Sequence, residues 1–123
     1  MSDFFKNSRV KQLTPTDFDK SELTKIPSIK CGAVLFYASY CHWCVAVKPT
    51  WEKLADSVMF MDIAAFECDS YPEHTAGMNE DMNGFIPSYP TMVLYKNGKP
   101  VRKVGQTDRD YTTFLNEFNN FCT

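Results

Sequence analysis

One stretch constrains this chain more than any other: Phe36-Tyr37-Ala38-Ser39-Tyr40-Cys41-His42-Trp43-Cys44-Val45-Ala46-Val47-Lys48-Pro49. The run Ala33 to Tyr37 that enters it is apolar without alternation, the mark of a central strand covered on both faces by helices. The pattern that leaves it is helical: Cys44, Val47, Trp51, Leu54, Ala55 and Val58 share one face, and Lys48, Glu52, Lys53 and Asp56 the other. Cys41 and Cys44 stand at the junction, one helical turn apart. The first thiol is therefore predicted at a helix N-terminus, where unpaired N–H groups and the helix dipole favour a thiolate. This spacing reads as a thiol–disulfide exchange site, with the remaining residues as its scaffold.

Length and composition narrow the alternatives. A chain of 123 residues can build one compact domain with a sizeable core. Hydrophobic residues at 44% and aromatics at 15% argue against disorder. Thirteen basic against fifteen acidic residues, a net charge of −2, offer no electrostatic case for nucleic acid or an anionic membrane as partner. No apolar run approaches the roughly 18 residues of a membrane span. The first thirty residues are polar and broken by Pro15 and Pro27, so no secretory signal is read there. Nor does Asn120-Phe121-Cys122-Thr123 read as an ER-retention signal, and the expected location is the cytoplasm. Five cysteines is an odd number, which points to a redox pair plus free thiols rather than a stapled secreted scaffold.

Along the chain, residues 1–8 read as a loose tail and Arg9 to Leu13 as a short edge strand. Thr16 is the expected cap of a short helix reaching Leu23, with Asp19 at capping-box spacing and Pro27 beyond its end. Gly32 opens the central strand, and Pro49 is expected to kink the helix that follows. Ile63 to Phe66 is the next buried strand, and residues 70–84 read as an irregular helix and loop. Thr91 to Tyr95 is a strand, Asn97-Gly98 a two-residue hairpin turn, and Val101 to Val104 its antiparallel partner. Thr107 or Asp108 is expected to cap a last helix that shows Tyr111, Phe114, Leu115, Phe118 and Phe121 on one face. The order β-α-β-α-β, then β-β-α, predicts a single α/β domain over 1–123: a mixed sheet of about five strands flanked by about four helices, with right-handed crossovers.

The chemistry is expected to run through Cys41 as nucleophile and Cys44, on the buried side, as the resolving thiol. A Cys-x-x-Cys zinc half-site would call for a second cysteine pair, which the sequence lacks, so no metal is expected, and no cofactor is expected either. His42, if protonated beside Cys41, would stabilise its thiolate and make the disulfide more oxidising; an exposed ring pointing away is the competing reading. Trp43 reads either as an apolar docking surface or as simple packing over the helix start. Cys31, Cys68 and Cys122 read as structural or incidental thiols, with Cys122 open to an adventitious intermolecular disulfide. His74 reads as a surface loop residue.

These residues carry a family resemblance. Phe36-Tyr37-Ala38 leading into Cys41-His42-Trp43-Cys44, Pro49 after the second cysteine, Tyr89-Pro90-Thr91, and Lys96-Asn97-Gly98 followed by Val104-Gly105 together resemble the thioredoxin superfamily. Pro49-Thr50-Trp51-Glu52-Lys53 and Ser88-Tyr89-Pro90-Thr91 are especially similar to a catalytic domain of protein disulfide isomerase. The resemblance covers about residues 9 to 121 and implies a thioredoxin fold. It also implies a cis Pro90, against the trans base rate of X–Pro bonds. The Pro90 loop would then pack on the two cysteines, and the backbone of Tyr89 would pair with an extended substrate strand. Tyr40 stands where the family usually has tryptophan, and is expected to help wall the site.

The sequence also departs from the family. Leu35 and Ala65 occupy the positions of the family's buried carboxylate and its lysine partner, and Val45 that of a common basic residue. The carboxylate assists proton transfer at the second cysteine, so its loss should slow deprotonation of Cys44. Glu67, on the same strand face as Ala65, is a partial substitute or, on the commoner reading, a solvent-facing glutamate.

The resemblance implies a thiol–disulfide oxidoreductase acting on proteins that carry disulfides or dithiols, expected as a monomer, with an unidentified recycling redox partner. Reductase and oxidase or isomerase directions stay open. A thioredoxin-fold binding module, holding a partner through Trp43, Tyr89 and Tyr40 with little turnover, is the second reading. A glutathione-linked enzyme ranks last, because no basic cluster is placed for the tripeptide's carboxylates.

Overall fold

The computed structural model describes residues 3–123. Strand β2 (Cys31–Tyr37) lies at the centre of a five-stranded sheet of order β1-β3-β2-β4-β5. β1 (Lys11–Gln12) and β3 (Asp62–Glu67) run parallel, as do β3 and β2. β4 (Thr91–Lys96) and β5 (Lys99–Val104) add antiparallel strands at the other side. The helices are α1 (His42–Ser57), α2 (Pro72–Asp81) and α3 (Tyr111–Phe121), with 3-10 turns at Pro15–Asp17 and Cys68–Ser70. Among the described residues, three α-helices thus stand where about four were expected.

The unbroken apolar run of β2 feeds two cores, because successive side chains point to opposite faces. Ala33, Leu35 and Tyr37 join Cys44, Val47, Trp51 and Leu54 of α1 and Phe114 and Phe118 of α3. Val34 and Phe36 join Phe18, Ile26, Ile29, Met78 and Phe85 on the other side. Trp51 ties the first layer together. Its indole N–H donates to the Ala64 carbonyl at 2.9 Å, and its ring meets Phe114 and Phe118 edge-on at 5.7 and 6.0 Å.

The hairpin turns at Asn97 (φ 53°) and Gly98 (φ 79°). A Cβ at Gly98 would stand 3.1 Å from Pro27 Cα, so this position excludes side chains by backbone conformation and by space. The turn is gripped from below, as Asn97 and Gly98 amides donate to the Lys30 and Ile29 carbonyls at 2.8 and 2.7 Å.

Several expectations are corrected. Met1 and Ser2 lie outside the described residues, but the rest of the expected loose tail is anchored. Phe5 is fully buried, and the Phe4 and Phe5 rings meet Tyr37 at 4.5 and 5.5 Å. The helix expected from Thr16 to Leu23 is only the turn at Pro15–Asp17; there the Thr14 amide donates to the Asp17 carboxylate at 2.8 Å. α3 is capped by Asp110, not by Thr107 or Asp108, and hydrogen bonding from Thr113 holds the Asp110 carboxyl below the usual carboxylate range. His74 belongs to α2 rather than a surface loop. It is half-buried against Phe18 at 4.5 Å, its Nε2 lies 3.2 Å from the Leu23 carbonyl, and burial holds the imidazole pKa down.

The largest correction concerns Cys31 and Cys122. They are neither free nor intermolecular but form one disulfide, with Cα atoms 6.0 Å apart across 91 residues. It joins the start of the central strand to the residue after α3. Closing so long a loop removes much freedom from the unfolded chain. Cys122→Ala is therefore expected to cost about 2–4 kcal/mol in a urea titration, and added reductant should lower the wild type but hardly the variant.

Candidate active site

β2 ends at Tyr37, and the chain leaves the sheet through Ala38, Ser39 and Tyr40 before α1 begins at His42. Cys41 is the N-cap of α1, with extended φ and ψ of −82° and 122°. Its amide donates to the Ala38 carbonyl at 3.1 Å, closing the loop into a tight turn. Its sulfur is partly exposed and donates to the Tyr89 carbonyl at 3.5 Å. The Tyr89–Pro90 peptide bond is cis, and Pro90 is buried. The antiparallel register Phe36↔Thr91 accounts for the meeting of two residues so far apart in sequence, because β2 ends where β4 begins.

Cys44 lies fully buried on the inner face of α1. Burial pushes its thiol up to about 12 from an ordinary 9.0; the Cys41 sulfur beside it adds to the rise, and the backbone at Ala38 opposes part of it. The two thiols thus differ in access: one is partly open to solvent, and the other is buried beside it. A third thiol, Cys68, is buried under the site and raised to about 12 by the same desolvation, which hydrogen bonds to Thr75 and Tyr89 partly offset. The Tyr89 hydroxyl is likewise raised to about 12, by burial first and by Cys68 next.

Around Cys41 the surface is apolar and exposed. Tyr40 is 75% and Trp43 62% accessible, and Val45 is also exposed. Trp43 thus presents most of its surface to solvent. The His42 ring packs against Trp43, edge to face at 5.2 Å. Cys41, Cys44, Tyr89 and Pro90 are thus brought together, while Tyr40, His42 and Trp43 form the rim.

The pair expected from the sequence to lack a charge does lack it. Leu35 lies opposite Ala65 in the β2–β3 register, and both are buried. Glu67 is not the solvent-facing residue expected. It is only 8% accessible, accepts a hydrogen bond from the Tyr37 hydroxyl at 3.4 Å, and accepts another from Ser70 Oγ. Sequence reasoning missed Asp69, whose carboxylate accepts from the Ser39 amide at 3.1 Å and from the Ser39 hydroxyl at 2.6 Å.

A thiol at a helix N-cap position, a buried thiol one turn later and a facing cis-proline, set on this strand order, define a thioredoxin-fold domain with a dithiol site. The chain belongs to the thioredoxin family, whose family model matches residues 9–118. It is 34% identical over 86 residues to a thioredoxin of Chlamydia muridarum, covering 68% of this chain and 78% of that protein. It is 33% identical over 93 residues to the thioredoxin domain-containing protein 5 homolog of Drosophila melanogaster, covering 72% of this chain and 20% of that one. A 31% identity over 97 residues links it to protein disulfide-isomerase like 2-2 of Arabidopsis thaliana, at 76% of this chain and 19% of the relative. The chain therefore spans about a fifth of the length of these last two. Among solved structures, the Trx4 domain of ERdj5 superposes with a TM-score of 0.70 at 22% identity, covering 93% of this chain and 96% of that domain.

A thiol attacks only as its thiolate, and the Cys44 pKa lies far above neutrality, so its share of thiolate grows with pH. Intramolecular release of a chromogenic thiol from Cys41 is therefore expected to accelerate about tenfold per pH unit between about pH 7 and pH 9. Stopped-flow absorbance would measure it.

Proposed function

We propose that this chain is a thiol–disulfide oxidoreductase acting on protein disulfides, with Cys41 as nucleophile and Cys44 as resolving thiol. The observation that carries the reading is the asymmetry of the pair: a partly exposed sulfur at a helix N-cap beside a buried one, facing the Tyr89 carbonyl. In the reducing direction the Cys41 thiolate attacks one sulfur of a substrate disulfide. The Cys41–substrate bond forms, the substrate bond breaks, and the leaving sulfur takes up a proton. Cys44 then gives up its proton and attacks Cys41 Sγ. The substrate leaves as a dithiol carrying two electrons, and Cys41–Cys44 is the new disulfide. An external dithiol must restore the pair; the same steps reversed oxidise a substrate, and an external oxidant then closes the cycle.

Tyr40, Trp43 and the backbone of Tyr89 are proposed to hold the extended substrate, since an exposed aromatic rim beside the backbone carbonyl that faces Cys41 suits a strand with apolar side chains. The Cys31–Cys122 disulfide supports a compartment in which disulfides persist, and so favours the oxidising direction. The apolar Leu35–Ala65 pair favours the second reading, a binding module with slow turnover, because it leaves Cys44 without the family's proton acceptor.

Insulin reduction with dithiothreitol and oxidative refolding of a reduced substrate separate these readings. Wild type is expected to exceed Cys41→Ser by at least about a hundredfold in one of them, and Cys44→Ser to accumulate mixed disulfides. Wild-type rates no better than those of Cys41→Ser would sink the enzyme reading. His42 is proposed to act on the potential rather than in bond exchange. His42→Ala is expected to shift the equilibrium with glutathione about threefold toward the Cys41–Cys44 disulfide, by removing a polar ring next to the reduced Cys41.

A further inference from the structure

The β2–β3 ladder runs from Gly32↔Asp62 to Tyr37↔Glu67 and then stops. Continued by two residues, the same register would set Ser39 opposite Asp69. The backbones have parted there, since β2 enters the turn to α1 and β3 enters the 3-10 turn at Cys68–Ser70. A side chain replaces the missing ladder bond. Asp69 Oδ1 accepts the Ser39 amide at 3.1 Å, and Oδ2 accepts the Ser39 hydroxyl at 2.6 Å. We propose that Asp69 is a positioning residue for the exchange reaction, clamping the Ala38–Tyr40 loop so that Cys41 is held between Cys44 and the Tyr89 carbonyl.

Three observations support the assignment. The clamp grips the loop two residues before Cys41, and the loop's closing bond, Cys41 amide to Ala38 carbonyl, lies on either side of it. Both oxygens of one carboxylate are used, which fixes orientation as well as distance and gives two charge-assisted bonds. Asp69 and Ser39 are both exposed, where a polar pair adds little to global stability. The consequence of the pair is therefore local, at the turn it spans. The charge of Asp69 also reaches the floor of the site, where it helps to raise the Cys68 thiol and the Tyr89 hydroxyl.

The inference rests on the exchange reading above, and its test is read in two ways. The first is the equilibrium of the Cys41–Cys44 pair with a glutathione buffer, which needs no protein substrate. Loss of the clamp lets Cys41 drift from Cys44 and so weakens the disulfide. Asp69→Ala is expected to shift this equilibrium about fivefold toward the dithiol, with a melting temperature within about 2 °C of wild type. Ser39→Ala should shift it less, since the amide bond remains. The double variant should shift it no further than Asp69→Ala alone, because the two side chains act through one contact. Asp69→Asn, which keeps one acceptor for the Ser39 amide, should recover part of the loss.

The second reading is insulin turnover, expected to fall in the same order. An Asp69→Ala equilibrium within twofold of wild type would overturn the proposal, as would additive effects in the double variant. The expected shift in Asp69→Ala, together with a wild type no better than Cys41→Ser in both insulin reduction and oxidative refolding, defeats the enzyme reading and leaves the clamp standing. A pair that forms no disulfide in any buffer defeats both.

Discussion

Backbone hydrogen bonds run along both edges of β2, to β3 in parallel and to β4 antiparallel, and they end within one residue of each other, at Tyr37 and Phe36. The chain must therefore leave the sheet on both edges at one place. α1 starts just beyond it, with Cys41 at its cap, and the loop before β4 arrives there with Tyr89 and Pro90. Side chains on the helix alone could not produce this meeting. The register of two ladders, set by burial of β2 on both faces, aims the thiol at a backbone carbonyl.

The interior below the site is apolar where relatives of this fold carry charge. Leu35 and Ala65 pack in the layer that holds Cys44, so those two positions carry no charged pair. Desolvation therefore governs Cys44 and Cys68 alike. Glu67 does turn inward, but its oxygens are engaged by Tyr37 and Ser70. The charge that remains near the loop is Asp69, at the surface.

The opposite end of β2 carries a covalent tie. Cys31 opens the strand and Cys122 follows α3, so their bridge holds the last helix to the sheet far along the chain from the dithiol. Lys96 reinforces the same seam, donating to the Phe121 carbonyl at 3.2 Å and lying over its ring. One end of the central strand is thereby closed by packing and a disulfide, and the other is left to a partly exposed sulfur.

The amino-acid sequence by itself determined what depends on neighbours along the chain. The double-faced burial of Ala33 to Tyr37, the helical face from Cys44 to Val58, the Asn97-Gly98 turn and the placing of Cys41 before Cys44 at a helix start are local patterns, and period, propensity and capping report them directly. Tertiary structure decided what depends on partners remote in sequence. The Cys31–Cys122 pairing, the anchoring of Phe4 and Phe5 on Tyr37, the inward turn of Glu67 and the grip of Asp69 on Ser39 each join residues whose spacing carries no period. Capping failed as a guide at Thr16 and Thr107 for a related reason: several polar residues near each helix start satisfy the local rule, and the tertiary path of the chain selects Thr14 and Asp110 among them.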